Sequence, residues 1–231
     1  MKYPNAANGV KKIFTSEILA LIATLSAGIS LLMGLLVVES AENISGGVVT
    51  DVNATGVLAG GAGFVIFALG AAVLIIIALI INLVGLNKAS KDEENSSNFK
   101  TALFLIVVSI ALSIAGSALS TSNPGLYKWL SVGSELANLI ATYFTLEGVA
   151  VISDQIGNAE LAGKARKLII AIMCLHLFGL IAERIPDLLS AGTLGKALAV
   201  GLAVVGLFLT IVSFVIYISI LSKAKKAFAE A

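Results

Sequence analysis

The chain has 231 residues, 58% of them hydrophobic and only 13% charged, with a formal net charge of +1. A soluble domain carries roughly 25% charged residues. The composition is therefore that of a membrane protein, and the near-neutral charge offers no basic field for nucleic acid. The single cysteine, Cys174, has no internal disulfide partner and belongs to no CxxC or Cys/His cluster; a buried structural thiol is expected there.

The chain opens with MKYPNAANGVKK, followed by an apolar stretch from Ile13 to Val38. At about 26 residues this stretch is too long for a signal-peptide core. The small-residue sequence after it, ESA, places Glu39 badly for cleavage, so a retained first membrane helix is expected. A span needs about 20 apolar residues. Six segments qualify, at about 13–38, 57–86, 99–120, 126–152, 167–190 and 196–222. The fifth contains His176 and ends in ERIPDLL, where Pro186 is expected to kink or stop the helix near Ile185. The expected fold is all-α: one polytopic bundle of six transmembrane helices.

Lysine and arginine set the orientation. Of the 15 bases, Lys128, Arg184 and Lys196 fall on one side of the spans and the other 12 on the opposite side. Both termini are thus expected in the cytoplasm of a multi-pass protein, with the plasma membrane as its location. The loop NKASKDEENSSNFK reads as a solvated cytoplasmic turn. SDQIGNAELAGKARK is longer and offers a place for a partner to dock. Spans one, three and five begin alike, in GVKKIFTSEILALIA, NFKTALFLIVVSIA and GKARKLIIAIMCL. Three tandem helical hairpins would produce this recurrence; so would lysines that independently snorkel to the cytoplasmic interface.

Small residues recur at helical spacing, as in Ser109, Ser113, Gly116 and Ser120 of the third span and Ser16, Ala20, Ala23, Ala27, Ser30 and Gly34 of the first. Such stripes let helices approach closely in lipid.

The fourth span carries the densest polar set. Ser131, Glu135, Asn138, Thr142 and Thr145 step by three or four residues and share a helical face. A face of this kind fits lipid poorly and is expected to point inward. Glu147 lies about 18 Å along the axis from Glu135 and about 120° around it, so the two acids cannot form one catalytic pair. Measured from the inner edges of spans four and five, Glu135 and Arg184 are nearly level, at about 27 and 25 Å. Glu147 and His176 are likewise close in depth, at about 9 and 13 Å. Glu17 of the first span lies near that inner level. His176 and Glu183 share a face of the fifth span.

Two readings of this set stand side by side. In one, Glu135–Arg184 is an interfacial ion pair, and Glu147 and Glu17 snorkel toward bases such as Lys12 and Lys167. In the other, the Ser131–Thr145 face lines a cavity together with His176 and Glu183, and Glu147 and His176 form a proton-linked pair.

Enzymatic chemistry is not expected. A P-loop, HExxH and GxSxG are absent. Ser134 and His176 would differ in depth by about 15 Å, too far for a serine–histidine dyad. No cofactor or metal is expected. Six helices in this length are similar in size to the vitamin-binding subunits of energy-coupling transporters. Three hairpins resemble the layout of mitochondrial carriers, although the Pro-x-[Asp/Glu]-x-x-[Lys/Arg] signature is absent. Both are likenesses of architecture alone. The expected function is a small-solute transporter or the membrane-embedded substrate-binding part of one. The alternative is a non-catalytic scaffold, sensor or immunity-type subunit. The partners in view are the lipid bilayer, a small-molecule ligand or a protein, and a second copy of the chain.

Overall fold

A computed structural model describes the backbone of residues 2–45, 51–93, 97–188 and 193–231. It describes the side chains of 2–34, 61–93, 97–175, 205, 208, 209 and 211–231. The described chain is all-helical: α1 (Pro4–Ser45), α2 (Asp51–Ala89), α3 (Asn98–Leu119), α4 (Pro124–Gln155), α5 (Ala159–Leu188) and α6 (Thr193–Glu230). Among the described residues, four stretches are long and apolar enough to cross a membrane: Pro4–Gly34, Gly61–Ala89, Asn98–Leu119 and Pro124–Gln155. Isoleucine, leucine and phenylalanine stand exposed along them. On α2, Ile66, Leu69, Val73, Ile76 and Ile80 form a stripe at helical spacing. Water would not tolerate such a surface and hydrocarbon would.

The helices overrun the apolar spans for physical reasons. In α6 the apolar run ends near Leu221, but the helix continues to Glu230 with Leu221, Ala224 and Phe228 buried while Lys223 and Lys226 stay exposed. Amphipathic periodicity takes over where hydropathy stops. Helix α4 begins at Pro124, a residue suited to the first helical position. Asn123 caps it by accepting from the Leu126 amide at 3.1 Å. Helix α5 begins eight residues before the expected span, at Ala159, because Asn158 caps it through the Leu161 amide at 3.1 Å. The segment expected as a docking loop is thus mostly helix; only residues 156–158 connect α4 to α5. The turn closes through Gly157, whose φ of 78° favours glycine. Helix α5 also runs past Ile185 to Leu188. A proline this close to a helix end forfeits little of the hydrogen-bond ladder.

The chain falls into two compact units, residues 12–82 and residues 1–11 with 83–231. In the first, α1 lies against α2. The Ser30 hydroxyl donates to the Phe64 carbonyl at 3.0 Å, and Gly34 and Gly63 leave room for Phe64 and Met33.

In the second unit, α3 packs most extensively on α4, α4 also packs on α5, and α5 on α6. Half of the most apolar window of α4 is buried, against 17% for α3. Helix α4 is therefore the centre of this unit. Phe99 of α3, fully buried, fills the space where Gly148 of α4 lacks a side chain; a Cβ there would sit 2.8 Å from the ring.

The loop after α2 is not merely a solvated turn. Asp92 accepts from the Asn5 and Ala6 amides at 2.7 and 2.8 Å and from the Asn5 side chain at 2.8 Å. It thereby caps α1 from 87 residues away. Glu93 accepts from the Asn98 and Phe99 amides, both at 2.9 Å, and caps α3. Carboxylates suit both places because helix N-termini carry unsatisfied N–H groups and partial positive charge.

Candidate functional site

A cleft of about 210 Å³ lies between α3 and α4, next to the turn that joins them. Its walls are Leu112, Ser113, Gly116 and Ser117 of α3 and Tyr127, Ser131, Ser134 and Glu135 of α4. Gly116, buried on α3, is where the two helices come close beside the cleft. Its Cα faces Tyr127 and Leu130, and a methyl group there would be in ordinary contact with both, 3.4 Å from Leu130 Cβ and 3.5 Å from the Tyr127 ring.

At the base of the cleft is a serine hub. Ser134 Oγ is 2.9 Å from Ser109 Oγ and 2.7 Å from Ser113 Oγ, and it donates to the Ser109 carbonyl at 3.0 Å. A hydroxyl has one hydrogen and two lone pairs. With Ser134 donating to the carbonyl, both neighbouring hydroxyls donate to Ser134, and its capacity is filled. Ser109 and Ser134 are buried. Hydroxyl bonds of this kind hold helices together where lipid gives no hydrophobic drive.

Glu135 stands at the mouth. It is exposed, and its hydrogen bond among the described residues comes from the Ser131 hydroxyl at 3.4 Å. No described lysine or arginine forms an ion pair with it. The expected partner Arg184 lies outside the residues whose side chains are described, as do His176 and Glu183.

The expected polar face of α4 is divided rather than shared. Ser131 and Glu135 reach the cleft. Asn138 is exposed and does not line it. Thr142 donates to the Asn138 carbonyl at 3.1 Å and borders an α4–α5 seam too tight to admit water, between Leu139, Tyr143, Leu146, Ile169, Ile172 and Met173. Thr145 is buried and donates to the Ala141 carbonyl at 2.9 Å. The inward-pointing face is instead the one carrying Ser134, Ala137, Ala141, Thr145, Gly148 and Ile152. The reason is size. Small side chains let α3 approach, and hydroxyls satisfied within their own helix cost little to leave outside.

Glu147 pairs with a base that the sequence reading did not single out. Arg166 Nη2 lies 3.4 Å from Glu147 Oε1 and 2.9 Å from Asp154 Oδ2. The Asp154 hydrogen bond is the larger influence holding the guanidinium above its ordinary pKa, with the Glu147 charge adding to it. Glu17 is half-buried on α1. Cys174, expected to be buried, is exposed alongside Ile170 and Met173. In lipid a thiol on such a face behaves as a small hydrophobe, which suits an outward position.

Comparison with protein-family models, with curated proteins and with solved structures returns no match.

Proposed function

We propose that the chain is a non-catalytic integral membrane protein that binds and passes a small solute, either as a transporter or as the membrane-embedded binding part of one. The observation that carries this reading is the serine-lined cleft of about 210 Å³ beside α4. Ligand sites are concave and combine apolar walls with a few convergent polar groups. Here Leu112 and Tyr127 are set among Ser113, Ser117, Ser131, Ser134 and Glu135. An ionisable side chain placed beside such a cavity marks a functional site in membrane proteins.

In this reading the α3–α4 turn faces outward across the plasma membrane. Trp129, which is 76% exposed, and the exposed Tyr127 and Leu126 are suited to the interface there. The lysine-rich helix ends then face the cytoplasm.

The test has two arms. With Cys174 replaced by serine, Ser117→Cys should react readily with a membrane-impermeant thiol reagent. Ser117→Phe, which fills the cleft, should abolish solute flux into proteoliposomes while the protein stays folded. A cysteine at 117 that resists labelling, together with flux that survives the phenylalanine, would sink the reading.

A second reading, an interaction subunit, draws on two glycines. A Cβ added to Gly28 of α1 or Gly70 of α2 would meet nothing within 4 Å. Open glycine surfaces of this kind suit docking of another helix. Cysteine crosslinking at these two positions in native membranes separates the readings: a defined heteromeric product combined with an unlabelled, dry cleft favours the interaction subunit.

A further inference from the structure

Resting on the cleft as the solute site, we infer that its ligand is a small organic cation bearing N–H donors, with a primary ammonium group as the recognised feature. The hydrogens of the cleft's serine hydroxyls are directed to acceptors within the protein. Ser134 has one hydrogen; with it on the Ser109 carbonyl, the 2.7 Å contact with Ser113, whose geometry allows either hydroxyl to donate, takes Ser113 as its donor. Ser117 donates to the Ser113 carbonyl at 2.9 Å. Ser131 donates to Glu135. In this arrangement each of the four cleft serines directs its hydrogen to a protein acceptor, Ser131 through a long contact of 3.4 Å. What Ser113, Ser117 and Ser131 offer a visitor is lone pairs, and Glu135 as a carboxylate offers only lone pairs and a negative charge. The Tyr127 phenol is the one lining hydroxyl not committed in this way.

A wall of acceptors selects for donors. An anion would face the Glu135 charge with almost no hydrogens to bind it. A neutral polyol would bring hydrogens but no positive charge to set beside Glu135, which no described base pairs with. A primary ammonium brings three N–H groups together with a positive charge. Lys128, exposed on the same helix, forms no ion pair with Glu135, nor does any other base among the described residues.

The experiment uses the full chain in lipid nanodiscs, with ethanolamine as probe. Ethylene glycol and glycolate serve as the neutral and anionic matches of nearly equal size, and binding is followed by saturation-transfer NMR. Ethanolamine should bind at least about tenfold more tightly than either match. Glu135→Gln should remove that advantage, and Glu147→Gln, distant from the cleft, should keep it. Equal binding of glycol and ethanolamine, or an amine advantage that survives Glu135→Gln, overturns the cationic class while leaving the cleft as a solute site. Displacement of ethanolamine by an equal concentration of sodium overturns the requirement for N–H donors. Ethanolamine that binds Ser117→Phe as well as the parent protein, or fails to bind the parent at all, overturns both the class and the cleft.

Discussion

The two ends of the α3–α4 pair solve the same packing problem in opposite ways. Toward the start of α3, a large ring enters a space left by a glycine: Phe99 sits where a Gly148 side chain would be. Leu146, Val149 and Ile152, on the same stretch of α4 as Gly148, are fully buried. Toward the α3–α4 turn the contacts are between small hydroxyls, Ser109, Ser113 and Ser134, and the helices leave a cleft of about 210 Å³. One end is held by shape and the other by hydrogen bonds. The difference matters because lipid tails are as apolar as leucine, so helices in a membrane associate through packing and hydrogen bonds. A shape-held end must be full. A bond-held end can stay open and still hold.

The largest expected effect comes from emptying the full end. Phe99→Ala should lower stability by about 3–5 kcal/mol, the usual range for losing a buried aromatic ring. Gly148→Ala attacks the same contact from the other side. Its methyl group would overpack the ring at a cost of about 1–3 kcal/mol, offset by up to about 1 kcal/mol of helix propensity. Unfolding by denaturing detergent or by heat, starting from a mild detergent, measures both. A Phe99→Ala variant as stable as the parent would remove the basis for calling this end shape-held.

At the open end the effects are smaller. Ser134→Ala deletes the atom that both neighbouring serines donate to, and about 1 kcal/mol should be lost, in line with hydrogen bonds between membrane helices. The sharper measurement is a double-mutant cycle. Ser109→Ala and Ser134→Ala together should cost clearly less than the two separate losses combined, because they break one shared bond. Strict additivity would mean that the hub is a coincidence of spacing. Asp92→Ala belongs at the same level. Loss of a cap costs about 1 kcal/mol, and amide exchange should accelerate at Asn5 and Ala6, the two amides Asp92 accepts from.

Much of this contrast could have been read from the sequence. The six helices follow from hydropathy, and the helix pairing follows from short turns. Ser109 lies as far before residues 120–123 as Ser134 lies after them, and Ser117 and Tyr127 are nearly matched in the same way. With equal rise on both helices, such positions are level, so the stripe of Ser109, Ser113 and Gly116 pointed to its partners. The polarity of α4 misled because Glu135, Asn138 and Thr142 look as though they must be inside. The buried face was marked instead by small size, at Ser134, Ala137, Ala141 and Gly148. The pairings of Asp92 with α1 and of Arg166 with Glu147 depend on where distant helix ends arrive, which periodicity within one helix does not encode.

Charge should contribute least, and this is the remaining way to break the comparison. Acid–base pairs lie near the full end: Arg166 with Asp154 and Glu147, and Lys164 with Glu160. If these pairs held it, the Phe99–Gly148 contact would be incidental. The Lys164 hydrogen bond and then its charge hold the Glu160 carboxyl below its ordinary pKa of 4.5, with Lys223 of α6 adding a smaller pull. A carboxylate lowered in the folded state stabilises it above the unfolded pKa, and that contribution disappears as pH falls through the folded value. Arg166 is shifted upward by Asp154 and Glu147; the guanidinium itself stays protonated throughout the acidic and neutral range, so any pH dependence of that pair comes from its carboxylates. Exposed pairs are worth little in water. Glu160→Gln should therefore unfold at a midpoint indistinguishable from the parent near pH 7. Any small parental advantage should vanish as both are titrated toward about pH 3. A large loss at neutral pH that closes on acidification would show Glu160 tying α5 to α6 through Lys223, and would move the hold on that end of the molecule from shape to charge.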